Sequence, residues 1–355
     1  MNVSGVSVAG VEVVSCTGTP RQRGEQHGEA LRDKIADGLA RWSDAIAAAH
    51  GVDPDAYIVE FVQGTNYLPA IRRWTPRLLE EVEGIARGSG QPWAWIYACN
   101  LLDEEWTWAR GRRLGLPPGC TVAGFAPQGG TPMLAQTMDI NNVHDGAQAI
   151  IRVNGDGDPD VLMFTRAGMI GLTGCNSEGL AVVVNNLDVL PTSHTGLPVA
   201  FAIRGVLERR SLPEAIGFLR EVPHATGQHY GIAGPEGLAS VEAWATGVTV
   251  DTAPGPRLLH TNHPLSTDPV ADDAEARFRR SRSRERLDYL QREAGACRDA
   301  RSVEELLADS SVPVSIDATS PSMTFGAVVY ECTEPATMWG AIGPPHLTPF
   351  QQIAW

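Results

Sequence analysis

The chain has 355 residues, 43% hydrophobic and 20% charged, a balance that suits a globular protein with a large core. Lys plus Arg total 28 against 42 Asp plus Glu, a net charge of -14, and only one of the 28 is a lysine, Lys34. A phosphate loop, which needs Gly-Lys-Ser/Thr, is therefore excluded, Schiff-base chemistry has only Lys34 to use, and the acidic balance argues against nucleic acid or an anionic membrane as partner.

The opening MNVSGVSVAGVEVVS has no basic start and no long apolar core, so no targeting segment is expected. The longest uncharged stretch, Leu114 to Met138, is broken by four prolines and five glycines and cannot span a membrane as a helix. Six scattered cysteines form no CxxC pair, which fits free thiols in a reducing cytoplasm and gives no zinc spacing.

In chain order, VEVVSC (11–16) is a short strand candidate. Thr19-Pro20 opens a helical pattern that runs to about His50, with Lys34 on a solvated face. Asp53-Pro54 and Thr75-Pro76 repeat that start signal, and residues 20–110 read mostly as helix. Beyond residue 119 the pattern changes to short apolar runs bounded by Gly, Asn and Pro. Strands are expected near 121–126, 132–138, 147–153, 161–166, 169–175 and 180–186. Helices follow at about 198–209 and 212–221, the second capped by Ser211. Further strands are expected near 229–233, 238–243, 247–251 and 257–261. A charged helix is expected over 272–295, and another from Ser302 with Glu305 completing a capping box. Strands near 324–331 and 336–342 close the chain. Strand runs interrupted by a helix pair predict two packed sheets with helices outside.

The junction reads LGLPPGCTVAGFAPQGGTPMLAQTMDINN. Cys120 follows Pro-Pro-Gly at the start of the first strong strand. A buried, inert thiol is the plain alternative. If the chain were cut before Cys120, that residue would carry both a thiol and an α-amine. The amine titrates at about 7.7–8.0 and the thiol at about 8.5, so one residue would supply nucleophile and base.

From these residues the sequence resembles the cysteine N-terminal-nucleophile hydrolases, in the group of the fungal acyl-CoA:6-aminopenicillanic acid (isopenicillin N) acyltransferase. The similar blocks are GTPRQRGEQHGEALRDKI, GCT at 119–121, AQTMD at 135–139, GCNSEGLAVVVNNL at 174–187 and LLHTNHP at 258–264, in the family's order. The resemblance implies an α+β, four-layer αββα sandwich. It implies self-cleavage between Gly119 and Cys120 into an α segment (1–119) and a β segment (120–355) that remain associated as one domain. The implied chemistry is a thioester on Cys120, formed from a small N-acyl amide or acyl thioester and passed to water or an amine. No cofactor is implied, and acyl-CoA is a co-substrate candidate. A homo-oligomer is left open.

Asp139 lies 19 residues after Cys120, so a returning hairpin would bring it beside the nucleophile. The resemblance gives it the new α-amine as partner; the alternative is an Asx turn at DINN. Gln136 stands where bile-salt and penicillin V hydrolases carry an arginine. The oxyanion needs neutral donors, and Asn262 is the first choice, with Asn185 preferred over Asn186. His260 and His263 are expected to support the Asn262 loop; a Cys-His-Asn arrangement or an HxxH metal pair are the sharper alternatives. His144 reads as a solvated loop residue or a pocket residue. RFRRSRSRER (277–286) holds six arginines, read as a solvated face paired with nearby acids, with Arg280 and Arg284 as candidates for CoA phosphates. The family's Ser-x-x-Arg fits Ser281/Arg284 and Ser283/Arg286 equally, and Arg284 is the site candidate taken. Trp106 and Trp108 either pack the two segments together or wall an acyl pocket. The competing readings are a non-catalytic protein that binds a small amide and a metallohydrolase built on His260 and His263.

Overall fold

The structure is a computed structural model and describes residues 6–8, 11–109, 119–252, 255–312 and 314–355. The first half supplies β1 (Val6–Val8), β2 (Val11–Cys16) and seven helices: α1 (Pro20–Ala30), α2 (Arg32–His50), α3 (Pro54–Gln63), α4 (Leu68–Trp74), α5 (Pro76–Ser89), α6 (Trp93–Cys99) and α7 (Leu102–Trp108). Next come β3 (Thr121–Phe125), β4 (Met133–Asn141), β5 (Gln148–Val153), β6 (Val161–Arg166), β7 (Thr173–Asn176) and β8 (Ala181–Asn186). Helices α8 (Val199–Leu207) and α9 (Leu212–Glu221) lead to β9 (Gln228–Gly234), β10 (Gly237–Trp244), β11 (Gly247–Asp251) and β12 (Arg257–His260). The chain ends with α10 (Ala274–Arg280), α11 (Ser283–Glu293), α12 (Ala300–Leu307), β13 (Ser322–Glu331), β14 (Thr337–Ala341) and β15 (Gln351–Ile353).

The strands form a nine-stranded sheet, β1-β2-β5-β6-β7-β8-β9-β10-β11, and a six-stranded sheet, β12-β3-β4-β13-β14-β15. Alternation along the strands sorts their side chains into separate layers. Ile150, Leu162, Phe164 and Val183 of the large sheet meet Val122, Leu134, Met138 and Leu258 of the small one. Their neighbours Ile151, Met163 and Val182 face outward onto α2–α9. On the other side, Ala123, Phe125, Ala135 and Val329 face Tyr289, Leu290, Val303 and Leu307 of α11 and α12. The result is the four-layer αββα sandwich of α+β class that the sequence led us to expect. This outer core joins residues from before Gly119 with residues from after Cys120.

Thr19 caps α1 in a capping box with Gln22, and Pro20 occupies the first turn. The glycines of RQRGEQHGE let α1 lie directly on α5. A Cβ at Gly24 would stand 2.0 Å from the Glu81 carbonyl oxygen, and one at Gly88 would stand 2.1 Å from that of Glu25. Beside that contact Glu81 of α5 forms a buried ion pair with Arg204 at 2.7 Å, and His27 of α1 accepts from the Gly168 N–H. The opening motif thus acts in helix packing.

Several boundaries differ from expectation. The first long helix breaks at Leu31, and Lys34 ties α2 to the sheet through the Gln148 carbonyl at 3.0 Å. The charged helix over 272–295 is two helices, because Arg282 adopts a left-handed conformation (φ 51°) between them. The last helix starts at Ala300, and its capping box is Asp299 with Ser302. Asp299 wins because a carboxylate three residues before Ser302 accepts that residue's N–H. His144 is buried rather than solvated, accepting from Arg166 Nε at 3.2 Å and packing edge-on to Trp42.

Candidate active site

Cys120 enters β3 with its side chain between the sheets, in the same inner core as Val122. The β3–β4 hairpin pairs Thr121 with Thr137, so Asp139 returns beside Cys120, as the spacing predicts. Asp139 opens no turn: β4 runs on to Asn141, and Asn141 accepts from the Val143 N–H in the Asx role.

A bulge between Thr324 and Gly326 sets the Thr324 side chain opposite Asp139. Thr324 Oγ1 donates to Asp139 Oδ1 at 2.6 Å. The other oxygen, Oδ2, is buried and has no hydrogen-bond partner. It lies against the Gly119–Cys120 linkage: a Cβ on Gly119 would stand 2.9 Å from it. Burial raises Asp139 to about 7, against the pull of Arg286 and Thr324. Burial first, and then the Asp139 charge, push the Cys120 thiol up to about 12.

The Cys120 carbonyl receives two donors, Asn185 Nδ2 at 2.9 Å and Arg286 Nη1 at 2.7 Å. Arg286 also reaches Thr121 Oγ1 at 2.9 Å and Asn262 Oδ1 at 3.0 Å. Since guanidinium only donates, Asn262 must turn its oxygen to Arg286. Its amide nitrogen then donates to the Asn186 carbonyl at 3.1 Å. Asn186 itself turns toward Asp103 Oδ1 at 2.6 Å.

Arg284, the arginine taken as the site candidate, lies elsewhere. It is exposed and pairs with Glu275 at 2.6 Å. The break at Arg282 changes the helical phase, so Ser283 and Arg286 turn inward instead. Arg280 is likewise exposed, near Asp273.

Gln136 caps the inner strand β8, donating to the Val184 carbonyl and accepting from the Val184 N–H. His260 places Nε2 3.0 Å from Glu242 and Nδ1 2.7 Å from the Thr261 carbonyl. His263 Nδ1 hydrogen-bonds Ser283 Oγ at 2.8 Å, and burial lowers this histidine to about 4. The two imidazoles thus turn to different partners on either side of Asn262. Among the described residues no group of three His, Cys, Asp or Glu side chains is gathered as a metal ion would require.

A cavity of about 40 Å³ opens beside Cys120. Trp106 is in its wall, whereas Trp108 packs on Tyr57 and Phe61. Sequence reasoning overlooked two members of the site. His229 supports Asn185, and Asp103 lines the cavity. Gln-His at the start of an apolar strand was the one available signal for His229.

The inner seam of a four-layer sandwich, carrying a cysteine at the head of one hairpin, is an arrangement fit for acyl chemistry. Residues 128–345, more than half the chain, match the family described as acyl-coenzyme A:6-aminopenicillanic acid acyl-transferase, and the protein belongs to that family. The matched region includes Asp139, Asn185, Asn262 and Arg286, and begins just after Cys120. Over 204 residues the chain is 32% identical to the acyl-coenzyme A:6-aminopenicillanic-acid-acyltransferase 40 kDa form of Emericella nidulans, covering 57% of this chain. The match spans about half of that relative, 54% of its length. Solved structures with some likeness include a conjugated bile acid hydrolase mutant from Clostridium perfringens (TM-score 0.44, 14% identity, 66% of this chain and 97% of that one). Another is penicillin V acylase from Agrobacterium tumefaciens (TM-score 0.39, 16% identity, 63% and 84%). No helix among the described residues is long and apolar enough to cross a membrane.

Proposed function

We propose that the protein is a self-processing cysteine acyl-transfer enzyme, cut between Gly119 and Cys120 into segments 1–119 and 120–355 that stay together. One observation carries the reading: a buried carboxylate oxygen of Asp139, without a partner, faces the Gly119–Cys120 linkage while two donors hold the Cys120 carbonyl. Family membership supports acyl transfer or amide hydrolysis as the class of reaction.

In the uncut chain the thiol is held protonated by burial. Asp139, poised near 7, exchanges a proton at neutral pH. The Cys120 sulfur adds to the Gly119 carbonyl carbon, and the bond from that carbon to the Cys120 nitrogen breaks. The nitrogen leaves as an amine carrying the thiol's proton. Water then hydrolyses the Gly119 thioester, releasing a carboxylate and restoring the thiol. The new amine takes Asp139 Oδ2 as its partner.

With substrate, the sulfur attacks the acyl carbonyl of a small N-acyl amide or an acyl-CoA thioester. The α-amine, with a reference value of about 7.7–8.0, takes the thiol proton and delivers it to the leaving group. Asn262 and Asn185 each use one amide hydrogen on a backbone carbonyl, and the second hydrogen of each is assigned to the oxyanion. Water or an amine takes the acyl group. Cysteines that are all unpaired fit a cytoplasmic setting.

The test is intact-mass analysis joined to product analysis on N-acyl amides, with and without acyl-CoA and added amines. The expected result is two fragments, one beginning at Cys120, and an acyl adduct on that fragment. An uncut chain whose Cys120→Ala variant keeps full activity would sink the proposal. Chelator-sensitive activity would favour the histidine-metal alternative.

A further inference from the structure

The cavity beside Cys120 is lined by two kinds of side chain. Leu102, Trp106, Met138, Ile140 and Leu172 make most of its wall apolar. Asp103, Asn186 and Gln228 add polar groups to it. Asp103 is the second residue of α7, a helix from the segment before the cleavage site, and it is half-buried because it opens to the cavity. The hydrogen bond it receives comes from a neutral amide, Asn186 at 2.6 Å, and Gln228 donates instead to Thr226 Oγ1 at 3.2 Å. Gln228 is 1% exposed, and its Oε1 has no hydrogen-bond partner.

Gln228 Oε1 is thus closed off from the cavity, and Asp103 is the acceptor that opens to it. The Asn186 amide nitrogen is directed at Asp103, and Gln136 turns its amide to the Val184 backbone. Arg286 stands on the other side of Cys120, on its carbonyl. A neutral acyl chain entering here would leave the Asp103 carboxylate beside apolar surface, which is costly. An ammonium group would pair with that carboxylate. Burial raises Asp103, so a cation that pairs with it gains from restoring the ionised form.

We infer that this cavity is the acyl subsite and that it selects short acyl groups carrying a terminal amine, with Asp103 as the specificity-determining residue. The inference rests on the Cys120 reading for its reaction, while its binding preference can be measured without turnover. The modest volume, about 40 Å³, suits a short chain.

The test compares 3-aminopropanoyl and butanoyl p-nitroanilides, which share a leaving group and differ by ammonium for methyl. The wild-type protein is expected to show a kcat/KM ratio of at least tenfold in favour of the amino compound. In Asp103→Asn, which keeps the acceptor for Asn186, that ratio should fall at least tenfold, whereas Asp103→Glu should keep most of it. A wild-type ratio at or below one overturns the inference, whatever the variants do. So does an unchanged ratio in Asp103→Asn. If neither anilide is turned over and no fragment begins at Cys120, the Cys120 reading has failed by itself. Calorimetry with 3-aminopropanamide against butanamide then decides the subsite: preferred binding of the amine that is lost in Asp103→Asn supports it, and equal binding overturns it.

Discussion

His229 places Nδ1 2.9 Å from Asn185 Oδ1 and so fixes which way the Asn185 amide points. Burial, then the neighbouring His260, hold His229 well below its usual value, so the ring is neutral at pH 7. Asn185 offers only an acceptor there, so Nδ1 carries the proton, and Nε2 accepts from Ser240 Oγ at 3.1 Å. The Asn185 amide nitrogen is thereby turned to the Cys120 carbonyl. The ring also stacks on His260 at 3.7 Å, joining β9 of the large sheet to β12 of the small one.

His229→Leu should therefore act through Asn185. Cleavage before Cys120 is expected to slow at least tenfold, as it should in Asn185→Leu. The double variant should be little worse than Asn185→Leu alone, since neighbours in one network are not additive. Cleavage rates followed by intact mass give the cycle. Two full, additive effects would separate His229 from Asn185.

Gly119→Ala should also slow cleavage. The added methyl meets Asp139 Oδ2 at 2.9 Å, and Asp139 cannot swing freely because Thr324 holds Oδ1. The carboxylate must move off the linkage that it faces. The uncut fraction after expression, read by mass, should rise well above wild type while far-UV circular dichroism stays the same. Wild-type cleavage in Gly119→Ala would show that the Asp139 contact is immaterial.

The β3–β4 hairpin was legible because strand alternation and a Gly-rich turn fix where a residue 19 positions on must fall. The layers were legible for a similar reason: short apolar runs alternate inward and outward. Arg286 was not, because a single left-handed residue at Arg282 resets the helical phase, and nothing in RFRRSRSRER marks it. Asp103 was overlooked because nothing in DEEWTW marks which of its three acids reaches a cavity. All three acids of that run lie in packed surroundings, and Glu104 reaches forward to the Val199 N–H. His144 was misread because its partner, Arg166, is far along the chain. Local pattern reports on faces, and these contacts depend on which faces meet.

The two arginines give a direct contrast. Arg286→Met removes donors from the Cys120 carbonyl, Thr121 and Asn262 in a buried place. A loss of about 3–5 kcal/mol in stability is expected from orphaning such a network. Arg284→Met breaks one exposed pair with Glu275 and should change stability by less than about 1 kcal/mol. Urea unfolding of the two variants checks this. Equal effects would contradict the inward turn of α11.

The pH dependence of stability has a sign that follows from two raised carboxyls. Burial takes Asp139 from 3.8 to about 7; burial and then Asp103 take Glu104 from 4.5 to about 8. Between about pH 4 and 8 the folded chain thus holds more protons on these groups than the unfolded chain does. Their contribution is fully present below about pH 4 and is lost as pH rises through the folded values. In a Cys120→Ala background, which keeps the linkage intact, Tm should fall between pH 5 and 8.5. Adding Asp139→Asn or Glu104→Gln should flatten that fall, raising Tm relative to the background at pH 8.5 and giving little or no gain at pH 5. Differential scanning calorimetry across that range reads both slopes. If both substitutions leave the slope unchanged, these carboxyls do not bind the extra protons.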